Sequence, residues 1–374
     1  MGKSLSKSRF IELFGDIKEK NKWPREKWSD VCEIINGKDF KSVEDPNGQY
    51  AVYGTGGFMA KANQYTCPEN SIIIGRKGTI NKPLLVKEKF WNIDTAFGVV
   101  PNITKVHYQY FYWFCKQFNF MSINKGTTLP STTKTDLQKI EINVPPLELQ
   151  LHFSHLVDQI DKSKFILQKM IEKLELLKKS RFIELFGDLN TNPFGFEVKK
   201  LSEIAEYYNG VTYKPENIVD SKSGFLVLRS SNIQNGQIAF DDNVYINMNI
   251  KDKHKVEDND ILMCSRNGSA KLVGKVALIH DCPKDTCFGA FMMIIRSKFF
   301  NYLYSYFQST YFRQRLVVGA TSTINQITVS MLDNIKLPIP PIELVNKYTE
   351  QVKQIDKSKL ILQKQLEDLV GETK

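Results

Sequence analysis

The decapeptide KSRFIELFGD occurs at residues 7–16 and again, unchanged, at 179–188. Ten identical residues fix more about this chain than any local propensity, because both copies must fold and pack alike. Further duplications follow at a constant offset of 195 residues. VPPLEL at 144–149 answers IPPIEL at 339–344, QIDKSK recurs at 159–164 and 354–359, and ILQK recurs at 166–169 and 361–364. The intervening blocks are related more weakly, as in KWSDVCEIINGKDFK (27–41) beside KLSEIAEYYNGVTYK (200–214). The order is a tail piece, a globular block and a helix, then the same three again. The expected segments are 1–16, the distal end of the second helical region; 17–146, the first block; 147–188, the first helix; 189–341, the second block; and 342–374, the second helix.

Pro145-Pro146 and Pro340-Pro341 close the blocks, since proline suits a first helical turn and not an interior. A heptad pattern follows each pair. The a positions are Phe153, Ile160, Leu167 and Leu174, then Tyr348, Ile355, Leu362 and Leu369. The d positions are Leu149, Leu156, Ser163, Met170 and Leu177, then Leu344, Gln351, Ser358 and Gln365. The pattern predicts an antiparallel coiled coil, with Ser163 and Ser358 fixing its register. The first helix would be about 60 Å long at 1.5 Å per residue. Aligning the copies sets Leu5 over Leu177, so the N-terminal decapeptide supplies the end that the second helix lacks. The repeat is circular and pseudo-twofold. Short apolar runs such as SIIIG, FLVLRS, DILMCS and FMMIIRS alternate with Gly/Asn turns, which predicts mixed α/β (α+β) blocks. The aromatic stretches 108–120 and 299–312 are expected to form buried helices late in each block.

The formal charge is +10. The segments 147–188 and 342–374 are each neutral and residues 1–16 contribute +1, which leaves +9 on the two blocks. A basic surplus on globular blocks joined by neutral helices suits a polyanion partner. No segment approaches a membrane span, no apolar leader opens the chain, and the six cysteines form no CxxC pair. These features place the chain, as an expectation, in the cytoplasm.

The candidates for catalysis fail in turn. NGSAKLVGK (267–275) has one residue too many for a phosphate loop, and Val276 stands where a hydroxyl is required. GTGG (54–57) is too short for a dinucleotide fingerprint, and TNPFGF (191–196) lacks the second proline of an amino-methyltransferase signature. His152 and His155 share a helix face without a further ligand and read as solvated residues. HExxH and GxSxG are absent.

Binding chemistry remains. IIIGRKGTINKP (72–83) offers Arg76, Lys77, Thr79, Asn81 and Lys82 directly after a strand. MCSRNGSAKLVGK (263–275) offers Ser265, Arg266, Asn267, Ser269, Lys271 and Lys275 in the same setting. Arginine grips guanine O6 and N7 with two hydrogen bonds, and Lys, Ser and Thr suit phosphates. One such loop would read as a solvated turn, but two at matching positions of a duplicated chain suit two half-sites on DNA. Tyr53, Thr55, Arg229, Ser231 and Asn232 are further candidates for base edges. The hydroxyl-rich stretches 125–137 and 319–332 fit either phosphate contact or helix capping.

Together these stretches make the chain resemble the specificity (S) subunit of type I restriction–modification systems. The residues carrying the resemblance are KSRFIELFGD, VPPLELQ with QIDKSK, IIIGRKGTINKP with WNIDTAFG (91–98), and IPPIELVNKYTEQVKQID. The resemblance implies two target recognition domains separated by two conserved helices. It also implies a non-catalytic role in reading an asymmetric bipartite site on double-stranded DNA. Two methyltransferase (M) subunits and restriction (R) subunits would be the partners. Those partners would carry S-adenosylmethionine, ATP and Mg2+, with no cofactor on this chain. Two alternatives stay open, a coiled-coil protein-binding scaffold and the specificity subunit of a fused restriction–methylation enzyme.

Overall fold

The structure is a computed structural model that describes residues 4–17, 19, 23–123, 130–221, 223–317 and 326–371. It divides into two compact units, Met1–Met170 with Ile361–Lys374, and Ile171–Leu360. The units share a four-stranded sheet, a parallel strand pair and a closing ribbon, while the smaller sheet has three strands in the first unit and four in the second. In the first, a four-stranded antiparallel sheet runs Cys32–Asn36, Ala96–Pro101, Ser71–Gly75 and Leu84–Val86. In the second, the same order is made by Glu206–Asn209, Met292–Arg296, Ile261–Cys264 and Val276–Leu278. Ser71–Gly75 and Ile261–Cys264 are buried along their whole length, so they read as unbroken apolar runs and not as alternating strands.

A smaller sheet stands beside each. Tyr50–Gly54 pairs in parallel with Phe90–Asn92, and Phe225–Leu228 pairs in parallel with Thr286–Phe288. A two-stranded ribbon closes each unit, Arg25–Lys27 with Glu141–Asn143 and Glu197–Lys200 with Lys336–Ile339. The aromatic stretches are helical and largely buried, as Tyr108–Gln117 in one unit and Phe300–Gln308 with Thr310–Val317 in the other. The fold is therefore the mixed α/β repeat that the sequence predicts. No helix among the described residues is long and apolar enough to cross a membrane.

The repeated decapeptide is the key to both cores. Its first copy lies in the helix Leu5–Phe14 and its second ends the long helix Leu147–Phe186. Phe10 stacks on Tyr110 at 5.4 Å, and Phe14 meets the same ring edge-on at 4.7 Å. Both also meet Phe153 edge-on, at 5.5 and 5.4 Å. The second copy repeats this ring for ring. Phe182 stacks on Tyr302 at 5.6 Å, Phe186 meets it at 5.0 Å, and both meet Tyr348 edge-on at 5.8 and 5.3 Å. Each central tyrosine anchors its hydroxyl on the closing ribbon. Tyr110 donates to the Asn143 carbonyl at 2.6 Å and Tyr302 to the Pro338 carbonyl at 2.5 Å. Burial pushes both phenols well above their ordinary value.

The glycine of the motif ends each helix. Gly15 and Gly187 have φ of 81° and 70°, which a side chain rarely adopts, and each amide donates to a carbonyl four residues back at 2.8 Å. The short helix Leu5–Phe14 thus makes in the first unit the contacts that the end of the long helix makes in the second. It belongs to the same unit as Ile361 onward. The expected match of Glu372 to Leu177 lies outside the described residues.

The helical seam differs from the expected one. Within the second unit the end of the long helix and the start of Ile342–Val370 run antiparallel, as the pairs Lys178–Asp356 (3.1 Å) and Lys359–Glu175 show. The a residues face inward, but Ser163, Met170, Leu177, Ser358 and Gln365 at d are exposed. The second inward row lies one residue later, at Val157, Lys164, Ile171 and Lys178, then Val352, Lys359 and Leu366. Lysines occupy three of these positions. Lysine stems can cover apolar surface, and Lys178 and Lys359 turn their ammonium groups to carboxylates of the facing helix, so a polar-versus-apolar count hides the row. Ser163 and Ser358 do not fix register. Each donates back to its own helix, to the Gln159 and Gln354 carbonyls at 2.8 and 3.0 Å.

Phe10→Ala and Phe182→Ala should each cost about 3–5 kcal/mol in urea unfolding, the usual range for a deleted core phenylalanine. Ile183→Ala, one residue on but exposed, should change stability by no more than about 0.5 kcal/mol. The raised phenols of Tyr110 and Tyr302 give a pH signature as well. The folded state holds their protons more tightly than the unfolded chain does, so their contribution is complete below about pH 10. It falls as pH rises above that value, and alkaline titration of the melting temperature should show the loss, which Tyr302→Phe should reduce.

Candidate nucleic-acid interface

Strand register brings three loops to one edge of each unit. In the first, the parallel pair ends with Ile93 N donating to the Tyr53 carbonyl at 3.2 Å, which sets the turn 93–95 beside the turn after Gly54. On its other side the same turn accepts Arg76 N at the Thr95 carbonyl, at 2.8 Å. The loops 54–57, 93–95 and 76–79 therefore adjoin. In the second unit Gly289 N donates to the Leu228 carbonyl at 3.0 Å, and Arg266 N to the Phe291 carbonyl at 3.1 Å. There the loops 229–232, 289–291 and 266–271 adjoin in the same way.

Each arginine loop is also fastened from below. Gly78 N donates to the Pro130 carbonyl, Thr132 N to the Arg76 carbonyl, and Thr132 Oγ1 to the Gly75 carbonyl, at 2.9, 3.0 and 2.9 Å. A side chain at Gly75 would strike the Thr79 carbonyl, so only glycine lets this loop close. In the second unit Ile327 N donates to the Ser265 carbonyl at 2.7 Å, and Arg266 bridges Gln326. For the hydroxyl-rich stretches the described part shows capping: Thr133 Oγ1 caps Lys134–Gln138 and Thr328 Oγ1 caps Val329–Asp333, both at 3.2 Å. Residues 125–129 and 319–325 lie outside the described residues.

The candidate side chains divide into two groups. Arg76, Lys77, Thr79 and Lys82 are exposed on the first edge, and Ser231, Arg266, Ser269 and Lys271 on the second. Arg76 sits over the buried Phe97 ring at 5.9 Å, and Arg266 over Phe291 at 5.7 Å, so both guanidiniums are braced by an aromatic face. Thr55 is half-buried at the tip of its hairpin, and Lys275 is half-buried behind the second loop.

The others are tied to the protein. Asn81 accepts from Phe120 N at 2.6 Å and donates to Asn119 at 2.9 Å. Tyr53 donates to Glu88 at 2.9 Å, and burial, with this bond, raises its phenol. Asn232 is fully buried, accepting from Arg229 N at 2.9 Å and donating to the Ala239 carbonyl at 2.9 Å. Ser265 is buried and donates to the Phe291 carbonyl at 3.0 Å. Arg229 is paired with Asp242 at 2.8 Å. Asn267 accepts from Ser269 N at 2.9 Å and donates to Ser230 Oγ at 3.2 Å, which joins two of the three loops. Asn232 and Ser265 thus shape the loops from inside instead of offering groups to solvent. Their short polar side chains give no sequence cue to burial. Sequence reasoning passed over Phe58, Met59 and Phe291, which are exposed on these edges at 59%, 53% and 58%. His152 and His155, set aside as ligands, are exposed on the long helix.

The fold and its two edges define a duplicated recognition module carried on long helices. The model of the type I restriction modification DNA specificity domain matches residues 20–176 and 193–370, so the chain belongs to that family. Among its relatives is the EcoKI specificity subunit of Escherichia coli (strain K12), 30% identical over 178 residues, which are 45% of this chain and 38% of the relative. The StySPI specificity subunit of Salmonella potsdam is 30% identical over 183 residues, 46% of this chain and 39% of the relative. The matched stretches thus span about two fifths of those relatives. The MjaVIII specificity subunit of Methanocaldococcus jannaschii is 22% identical over 320 residues, 80% of this chain and 72% of the relative. The S subunit of the type I system from M. genitalium shares the fold, with a TM-score of 0.57 and 18% identity over 95% of this chain and 96% of that one.

Asn232→Ala should lower stability by about 1–3 kcal/mol, because it strands the Arg229 amide and the Ala239 carbonyl. Ser231→Ala, exposed next to it, should leave the thermal unfolding curve unchanged.

Proposed function

We propose that this chain is the DNA-reading subunit of a type I restriction–modification complex and performs no catalysis itself. The observation that carries the reading is the pair of three-loop edges, built on one backbone plan and bearing different side chains. The two edges present Arg-Lys-Gly-Thr and Arg-Asn-Gly-Ser respectively. Two equivalent scaffolds with unlike contacts suit an asymmetric bipartite site on double-stranded DNA, one half per domain. The recognition domains are 17–146 and 189–341.

Adenine methylation and DNA cleavage belong, in this reading, to M and R partners that carry S-adenosylmethionine, ATP and Mg2+. The helices dock the M subunits. The repeat leaves an apolar pair in water at the same position twice, Phe165-Ile166 at 60% and 46% exposed and Leu360-Ile361 at 67% and 52%. A duplicated apolar pair fits two copies of one partner. Such a complex acts on the chromosome, which places the chain in the cytoplasm.

Binding to duplex DNA should weaken steeply with salt, as phosphate contacts demand. Selection of bound duplexes from a random pool should return a two-part motif. Arg76→Ala should relax one half of the motif and Arg266→Ala the other, each at a cost of about 1–3 kcal/mol. Equal weakening on all DNA would make these arginines phosphate anchors, and salt-independent binding would refute the reading. Ile166→Glu and Ile361→Glu should each reduce the number of M subunits captured from two to one, as sedimentation would show.

A further inference from the structure

The hairpin at the first edge displays two apolar side chains through a defect in its pairing. Tyr50–Gly54 turns through Thr55-Gly56 into Gly57–Ala62, with Gly54 opposite Gly57 and Tyr53 opposite Phe58. The next pair is Val52 with Ala60, so Met59 has no partner and the strand bulges there. A regular strand would send Phe58 and Met59 to opposite faces, but the bulge breaks the alternation and leaves both more than half exposed. Phe58 is firmly seated, its ring edge-on to Tyr53 at 6.2 Å, and Tyr53 is itself fixed by Glu88 and by Phe90 at 5.8 Å. The turn 93–95 separates this tip from Arg76 and Lys77.

The second edge reaches a similar result by another route. It has no such hairpin, and Phe291 projects from the turn 289–291 with its carbonyl held by Ser265 N (2.9 Å) and Arg266 N (3.1 Å). Beside Phe291 opens a cleft of about 690 Å³ lined by Tyr213, Ile218 and Arg229, among others. Each basic edge therefore carries one exposed phenyl ring, Phe291 directly under Arg266 and Phe58 on the loop across the turn 93–95 from Arg76.

We propose that Phe58, supported by Met59, and Phe291 are wedges that press into the base stack of bound DNA, one per half-site. The inference rests on the DNA-reading function. A base step offers stacked apolar faces to a ring and phosphates to the basic side chains of the same edge. The two wedges stand on different loops, so they deform the two half-sites at different steps. Each domain then selects for a flexible step that no side chain hydrogen-bonds.

The test uses the full-length chain and duplexes that it selects from a random 40-base-pair pool. 2-Aminopurine is placed at successive positions of the selected motif and its fluorescence is followed on binding. Wild-type protein should brighten one step in each half-site. Phe58→Ala should abolish one signal and weaken binding roughly tenfold, Phe291→Ala should abolish the other, and Phe58→Trp should restore the first. Both rings are exposed, so unchanged melting temperatures are expected for all three variants. Binding without any brightening, or brightening that survives both alanine variants, would overturn the wedges and leave the DNA-reading function standing. A wild-type chain that selects no duplex would refute that function, and the wedges with it.

Discussion

Everything in this chain hangs on two four-ring aromatic clusters. Phe10, Phe14, Tyr110 and Phe153 form one, and Phe182, Phe186, Tyr302 and Tyr348 the other, with ring separations matched to a few tenths of an ångström. Each cluster joins a helix bearing the decapeptide to the aromatic helix of a domain and to the first turns of the helix leaving that domain. Tyr110 and Tyr302 then tie their clusters to the closing ribbons. Aromatic pairs in such geometries add about 0.5–1.5 kcal/mol each beyond their buried area. Within the decapeptide, the two phenylalanines and the glycine recur because they meet the same surroundings twice.

That constraint frees the rest of each domain to vary. The three-loop edge is set by main-chain hydrogen bonds, from Ile93, Arg76 and Thr132 in one unit and from Gly289, Arg266 and Ile327 in the other. Main-chain bonds do not depend on side-chain identity, so the edges can carry unlike residues on one plan. A specificity determinant needs such a division of labour, with rigid elements below and exchangeable contacts above.

Much of this was legible in the sequence. The repeats, the helix starts after Pro-Pro, the buried aromatic helices and the two arginine loops all emerge as expected, because each rests on a local signal. What was hidden is physical in origin. The parallel pairing of Tyr50–Gly54 with Phe90–Asn92 is non-local, and no turn signal announces it. The inward row of the helices escaped because lysine stems fill part of it, while Met170 and Leu177 at d turn outward and look like seam residues in the sequence. Asn232 and Ser265 looked like surface contacts because short polar side chains are at home on loops, whether satisfied inside or outside. Phe58 is exposed through a bulge at Met59, and a one-residue pairing defect leaves no trace in composition.

In the function proposed above, two domains on one plan read two different half-sites and direct adenine methylation by partner subunits. Methylome sequencing of the host with and without this gene tests it most directly. One asymmetric bipartite adenine motif should lose its methylation when the gene is removed and regain it on complementation. An unchanged set of methylated motifs in the deleted strain, with the partner subunits expressed, would contradict it.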